Sequence, residues 1–454
     1  MAAREARHRP KKDVLMSPLW MFPALLLAIL TGFPVALTML SLAVIFGLHS
    51  FGLEGLLHQC IQKIEETATA QVLAAVPLFI FMGAMFEQSG IASRLFDTIQ
   101  MWIRRLPGGL AVGTIIMCVI FAATSGVVGA TETVVGLLAI PPMLRYGYNK
   151  GLISGVICAG GALGTIIPPS VLAVVIGPAA QADVGRVLLG MFIPGFMLAG
   201  AYIVYIVIRC LLRPQDGPPV LLVDKEPTLA QKLALTGAVL VPPLVVIVAV
   251  LGSMMAGIAT PTEASATGAL GTVILAIVYR RFSWAVLVDA TMRTVRITAM
   301  ILTIVACGQM FAAVFVGSGG LQIVQDFLLA GGVDKYTLLF AVMTLVFMAG
   351  FMLEPLVIIL MVAPIVTPLI VNAGFDREWF CVLFLVMLQT GYLTPPMAPS
   401  IFYLRGIAPP EIKLHHMYTG IWPFIALQLL VVGLLVIFPK CVTWLPDAVL
   451  TGAR

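Results

Sequence analysis

Two stretches of this chain place adjacent prolines in the middle of sequence that is otherwise apolar enough to cross a membrane. They are "GALGTIIPPSVLAVVIG", Gly161 to Gly177, and "TGYLTPPMAPSIFYLRG", Thr390 to Gly406. Proline has no backbone N–H and its ring clashes with the preceding turn, so it breaks a helix at a cost of about 3 kcal/mol. In lipid, the freed backbone groups must find partners inside the protein or in a water-lined cavity. Pro168/Pro169 and Pro395/Pro396 therefore mark two discontinuous helices that lie in a protein interior.

Composition sets that interior in a membrane. Of 454 residues, 60% are hydrophobic and 10% charged, and mean hydropathy is +1.07. A soluble chain carries about a quarter charged residues. The net charge of +5 reflects basic residues at span ends and gives no nucleic-acid surface. The seven cysteines are scattered without metal-type spacing and read as small buried hydrophobes. No Walker motif or nucleophile elbow occurs, so no catalytic residue is assigned and an enzyme is not expected.

Apolar windows suggest full spans at 19–48, 72–89, 151–177, 189–212, 233–251, 262–279, 297–316, 380–404 and 418–438. Two further regions, 109–144 and 336–371, are too long for one helix and carry small residues at their centres. Each reads as a re-entrant hairpin. Ile91–Arg105, Phe282–Arg293 and Pro410–His416 read as interfacial amphipathic helices. With the N-terminus inside, 20 of the 26 lysines and arginines fall on inside segments. That bias gives a cytoplasmic N-terminus and an external C-terminus. Met16, opening "MSPLWMF", offers a second candidate start.

The same order occurs twice. Glu132 and Glu354 each follow a hairpin's centre, Pro142 and Pro364 keep the same offset, and the two proline pairs follow after a five-residue insertion. One hairpin enters from each side, so the repeat is inverted, as in secondary transporters, and its Gly/Pro-interrupted segments point to the binding site. The fold class expected is an all-α polytopic membrane protein, an inverted-repeat elevator-type transporter with two hairpins and two broken helices. The expected divisions are a tail (1–15), a first span with connecting helix (16–71), repeat 1 (72–212), a cytoplasmic loop (213–232), scaffold helices (233–296), repeat 2 (297–440) and a C-terminal tail (441–454).

The stretches "SGVVGATETVVGLLAIPPMLRYGYNKG", "GTIIPPS", "ATPTEASATGA", "GFMLEP" and "GYLTPPMAPSIF" resemble the large membrane subunit, DctM-like, of tripartite ATP-independent periplasmic (TRAP) transporters. The likeness runs from Met16 to about Phe438. It implies sodium-coupled import of an organic anion, typically a carboxylate, across a bacterial inner membrane. It further implies a moving elevator domain, a small four-helix membrane subunit and a periplasmic binding protein as partners. The alternative is a sodium/divalent-anion symporter that needs no binding protein. The variant "GVVGATETVVGLLAIPP" points away from sialic-acid and C4-dicarboxylate branches, towards 2-oxo acids or other monocarboxylates.

The resemblance also implies a sodium (Na+) site in the second half, from Gly350 at the hairpin tip with Gly391, Thr394 and Met397. The repeat then gives a first-half site from Ser125 with Gly164, Ile167 and Pro169. There the chain carries Val127 and Val128 where many relatives have serines. Substrate contacts are assigned to Ser125, Gly126, Thr131, Glu132, Ser170, Glu354 and Ser400. Carbonyls at a helix break suit a cation, and the following N–H groups suit a carboxylate. Glu132 and Glu354 have two readings: transport chemistry at membrane depth, or caps at hairpin helix starts. Glu263, after Pro261, reads as a cap.

Overall fold

Both over-long apolar regions fold back on themselves. In the computed structural model, which describes residues 17–126, 128–220, 228–330, 334–351, 353–395 and 398–450, the first hairpin consists of α5 (Gly109–Ser125) and α6 (Val128–Arg145). The second consists of α15 (Lys335–Gly350) and α16 (Pro355–Asn372). Gly126 turns the first tip with φ 59°, a left-handed conformation that glycine adopts without strain.

Both proline pairs break their helices. α7 (Lys150–Ala162) stops before the first pair and α8 (Val171–Ala180) starts after it; the Pro168–Pro169 peptide is cis. α17 (Arg377–Leu393) and α18 (Pro399–Ile407) flank the second. Among the described residues there is no strand, and eight helices are long and apolar enough to cross a membrane.

Three expectations need correction. The span at 19–48 is two helices, α1 (Met21–Leu30) and α2 (Val35–Thr69). Gly32 at φ 89° and Pro34 at the next N-cap stop the chain there, although hydropathy runs straight through. Gly52 then kinks α2 at φ 69° and separates its spanning part from an arm. Pro410–His416 is not a helix of its own: 408–413 is a turn containing Pro409 and Pro410, and α19 (Leu414–Ile437) begins after it. The C-terminal segment is not a bare tail. Lys440–Leu450 forms α20, which packs on α9 (Val184–Gly190), with Asp447 paired to Arg186 at 2.6 Å.

The remaining helices are α3 (Ala75–Gln88), α4 (Ile91–Ile103), α10 (Phe192–Leu212), α11 (Leu229–Met255), α12 (Pro261–Val278), α13 (Trp284–Gly317) and α14 (Gly320–Ala330). The amphipathic piece at Phe282–Arg293 is the start of α13 and is continuous with its span. Packing extends the repeat towards the N-terminus. α2 lies on α13 and α3 on α12, while α1 pairs with α2 and α11 with α12. These are exchanged contacts of two equivalent halves. Both leading pairs turn at a glycine of positive φ followed by a proline: Gly32 (φ 89°) with Pro34 between α1 and α2, and Gly257 (φ 66°) with Pro261 between α11 and α12.

Glu263 caps α12. Its carboxylate accepts the Thr260 N–H at 2.8 Å, and the Glu263 N–H donates to the Thr260 hydroxyl at 3.3 Å. Thr260→Ala is expected to cost about 1 kcal/mol, visible as a lower thermal midpoint of the purified protein; an unchanged midpoint would show that the box is dispensable.

Candidate ion and substrate site

The second hairpin tip lies directly on the second break. A Cβ added to Gly391 would sit 2.6 Å from Gly350 Cα and 2.7 Å from its carbonyl oxygen. Only two glycines allow this approach. Past Gly391 the chain leaves the helix at Thr394, with φ −86° and ψ 127°. The Thr394 hydroxyl donates to the Thr390 carbonyl at 2.6 Å, leaving its lone pairs unspent. Ala398, at φ 37°, leads into α18. Met397 lies outside the described residues.

The first tip meets the first break in a similar way. A Cβ on Gly126 would lie 2.8 Å from the Pro169 carbonyl oxygen. The Ser170 hydroxyl donates to the Thr165 carbonyl at 2.7 Å and ties the two sides of the break together. Gly164 and Ile167 are buried in that break, where Ile166 and Ile167 press against Gly195 of α10. Ser125 ends α5 beside Gly126. Val127 lies outside the described residues.

The two acids differ. Glu354 occupies the N-cap position of α16, although its side chain makes no cap bond. Glu132 is not a cap. α6 begins at Val128, so Glu132 falls past the first turn. It is fully buried, with neither carboxylate oxygen hydrogen-bonded. It packs on Gly161 of α7, and Ser400 of α18 faces it. Thr131 beside it is also buried.

That placement follows from a cross-repeat pairing. The second arm of each hairpin packs on the trailing half of the other repeat's broken helix, α6 on α18 and α16 on α8. Glu132 and Ser400 are thereby brought together, whereas Ser170 faces its own break.

Two residues of this centre escaped the sequence reading. Tyr392 and Tyr403 both lie within electrostatic reach of Glu132 and Glu354. The Tyr403 ring covers Gly129, where an added Cβ would lie 2.7 Å from it. Their signal was their position, since each stands in the stretch that carries the second proline pair. A cavity of about 310 Å³ runs between the scaffold and hairpin 1, lined by Glu87, Arg293, Gly129, Thr133 and Tyr403. Glu87 and Arg293 pair across it at 2.8 Å. A second cavity, about 420 Å³, opens beside Lys63 and Glu66 and reaches Leu360 and Pro364 of α16, short of the hairpin 2 tip.

Relatives place these features in a family. The chain is 31% identical over 347 residues to the C4-dicarboxylate TRAP transporter large permease protein DctM of Pseudomonas aeruginosa, covering 76% of this chain and 79% of that protein. It is 31% identical over 360 residues to the isethionate TRAP transporter permease protein DctMQ of Oleidesulfovibrio alaskensis, covering 79% of this chain and 55% of that longer protein. In fold it matches the Alcanivorax borkumensis YdaH transporter, a crystal structure of unusual topology, with a TM-score of 0.67 at 15% identity over 92% of this chain and all of that one. Residues 20–441 match the model described as "Tripartite ATP-independent periplasmic transporter, DctM component". This multi-span membrane chain therefore belongs to the DctM-component family, the large permeases of TRAP transporters.

Proposed function

We propose that this permease imports an organic anion, a carboxylate, by sodium-coupled alternating access of the elevator type. The observation that carries the reading is the contact of each hairpin tip with a broken helix, at Gly350–Gly391 and Gly126–Pro169. Carbonyls of Gly350, Gly391 and Met397 with the Thr394 hydroxyl form one sodium site. Ser125 with Gly164, Ile167 and Pro169 forms the other. Main-chain ligands are indifferent to the valines that replace serines at the first tip. The anion sits between the tips, at the N-terminal ends of α8 and α18, where backbone N–H groups favour negative charge. This reading assigns Gly126, Thr131, Ser170, Glu354 and Ser400 to that space, with Glu132 buried next to Ser400.

The unequal packing of equivalent elements supports a moving unit. α13 packs on α16, whereas its counterpart α3 packs on α5. The cavity beside Glu87 reaches Gly129, next to the hairpin 1 tip; the one beside Lys63 stops at Leu360. With the N-terminus cytoplasmic, the cavity that reaches a hairpin tip is on the inner side, which supports reading this as an inward-facing form. A small membrane subunit and a periplasmic binding protein complete the transporter in the bacterial inner membrane, and the binding protein selects the ligand. A symporter without a binding protein loses its ground in a tripartite family.

One net positive charge entering per substrate is worth about 2.3 kcal/mol at 100 mV, on the order of fifty-fold accumulation. Proteoliposomes holding the full transporter, with the substrate-loaded binding protein outside, are expected to accumulate substrate when sodium is imposed outside. Equal uptake with and without a sodium gradient would exclude the coupling.

A further inference from the structure

Glu132 is a fully buried carboxyl group whose two oxygens make no hydrogen bond. The polar atom facing it, Ser400 Oγ, is also buried, has no other partner, and lies close enough to act on the carboxyl group. The two stand on α6 and α18, which belong to different repeats. Room for the acid comes from Gly161, where an added Cβ would lie 1.9 Å from Glu132 Cγ and 2.9 Å from Oε1. An ionised carboxylate in such a place is too costly to persist without a counter-ion or a proton.

The surroundings choose between these. The elements packed on α6 are α4, α5, α7, α18 and the turn at Leu163–Thr165. The titratable groups they bring within electrostatic reach are Cys118 of α5, Cys158 of α7 and Tyr403 of α18, with Tyr392 of α17 beyond. Arg94 of α4 lies over the Tyr279 ring, Asp97 of the same helix is influenced by burial alone, and Arg405 of α18 is exposed. Among the described residues, no cationic side chain acts on the carboxylate. Sodium is a poor fit as well, since a hard cation needs several oxygens. Here the side chains near the acid are the Ser400 hydroxyl, two thiols and two tyrosines, and among the described residues no second carboxylate acts on it.

We propose that Glu132 is a proton-binding site, protonated while hairpin 1 is closed on α18, with Ser400 Oγ receiving its O–H. Gly129 and Thr133, on either side of Glu132 in sequence, line the 310 Å³ cavity, and Tyr403 closes it over Gly129. Separation of α6 from α18 opens the carboxyl to that water. The O–H bond then breaks, its electron pair stays on the carboxylate, and water takes the proton. This gives the permease an ion site separate from the two sodium sites.

The test is infrared difference spectroscopy of the purified full-length permease in lipid nanodiscs, wild type against Glu132→Gln and Ser400→Ala, with and without sodium. At neutral pH the wild type is expected to show a protonated-carboxyl C=O band that is lost in E132Q. In S400A the band persists but moves to higher frequency as its hydrogen bond is lost. Should E132Q not fold, the S400A shift alone decides. Absence of the band from the wild type, an unmoved band in S400A, or a Glu132 carboxylate band that responds to sodium overturns the proposal. Neither readout needs substrate or a sodium gradient, so a failure here is separate from a failure of sodium coupling.

Discussion

Gly391→Ala is expected to weaken sodium activation of transport by roughly 5- to 150-fold, the range that corresponds to about 1–3 kcal/mol of overpacking. The new methyl group would sit 2.6 Å from Gly350 Cα and 2.7 Å from the Gly350 carbonyl oxygen. Both are backbone atoms, and neither can rotate away. The hairpin tip must lift, and the ligands it brings to the break lift with it. Gly350→Ala acts in the same direction but more mildly, since its nearest neighbour is Gly391 Cα at 3.0 Å. Gly406→Ala serves as the control, because nothing lies within 4 Å of a Cβ there. Sodium titrations of uptake in proteoliposomes read the effect. If Gly391→Ala titrates like the wild type, the tip-to-break contact plays no part in ion binding.

The second large effect concerns stability. α7 crosses α19 at a set of glycines, with the Phe424 ring beside them: a Cβ on Gly420 would lie 2.0 Å from the Gly151 carbonyl oxygen, and one on Gly155 would lie 2.3 Å from the Gly420 carbonyl oxygen. Small residues are what let helices approach this closely in a membrane. Gly420→Ala is expected to cost about 1–3 kcal/mol and to lower the thermal midpoint of the purified permease clearly. Gly433→Ala, on the same helix with no atom within 4 Å of its Cβ, is expected to leave the midpoint unmoved. Equal midpoints for the two variants would mean that α19 can back away from α7 at no cost.

What was legible in the sequence was what backbone chemistry dictates. Proline pairs stop helices wherever they stand, so both breaks and both hairpins could be placed within a few residues. The Gly350–Gly391 approach was implied by the resemblance to the DctM-like family, and the repeat carried it over to the first half. Features set by packing were not legible. Thr31–Pro34 divides an apolar run that hydropathy treats as continuous. The kinship of α1 and α2 with α11 and α12 rests on one glycine and one proline at each turn, too short a match to stand out in the sequence. Glu132 had two readings, a cap or an acid at membrane depth, because an acid near a helix start fits both; α6 starts at Val128, which carries the acid past the first turn and inside. Tyr392 and Tyr403 stood in the quoted stretch, but an aromatic side chain near a break has no spacing rule to separate it from ordinary core.

The cross-repeat pairing of hairpins and broken helices bears on how this chain is made. α6 ends at Arg145, and its packing partner α18 begins at Pro399, about 250 residues later. At synthesis rates of about 5–20 residues per second, hairpin 1 waits on the order of 10–50 s for that partner. During this interval the groove holding Glu132 has no α18 to close it. The buried site of Glu132 is thus completed only when nearly the whole chain has been made.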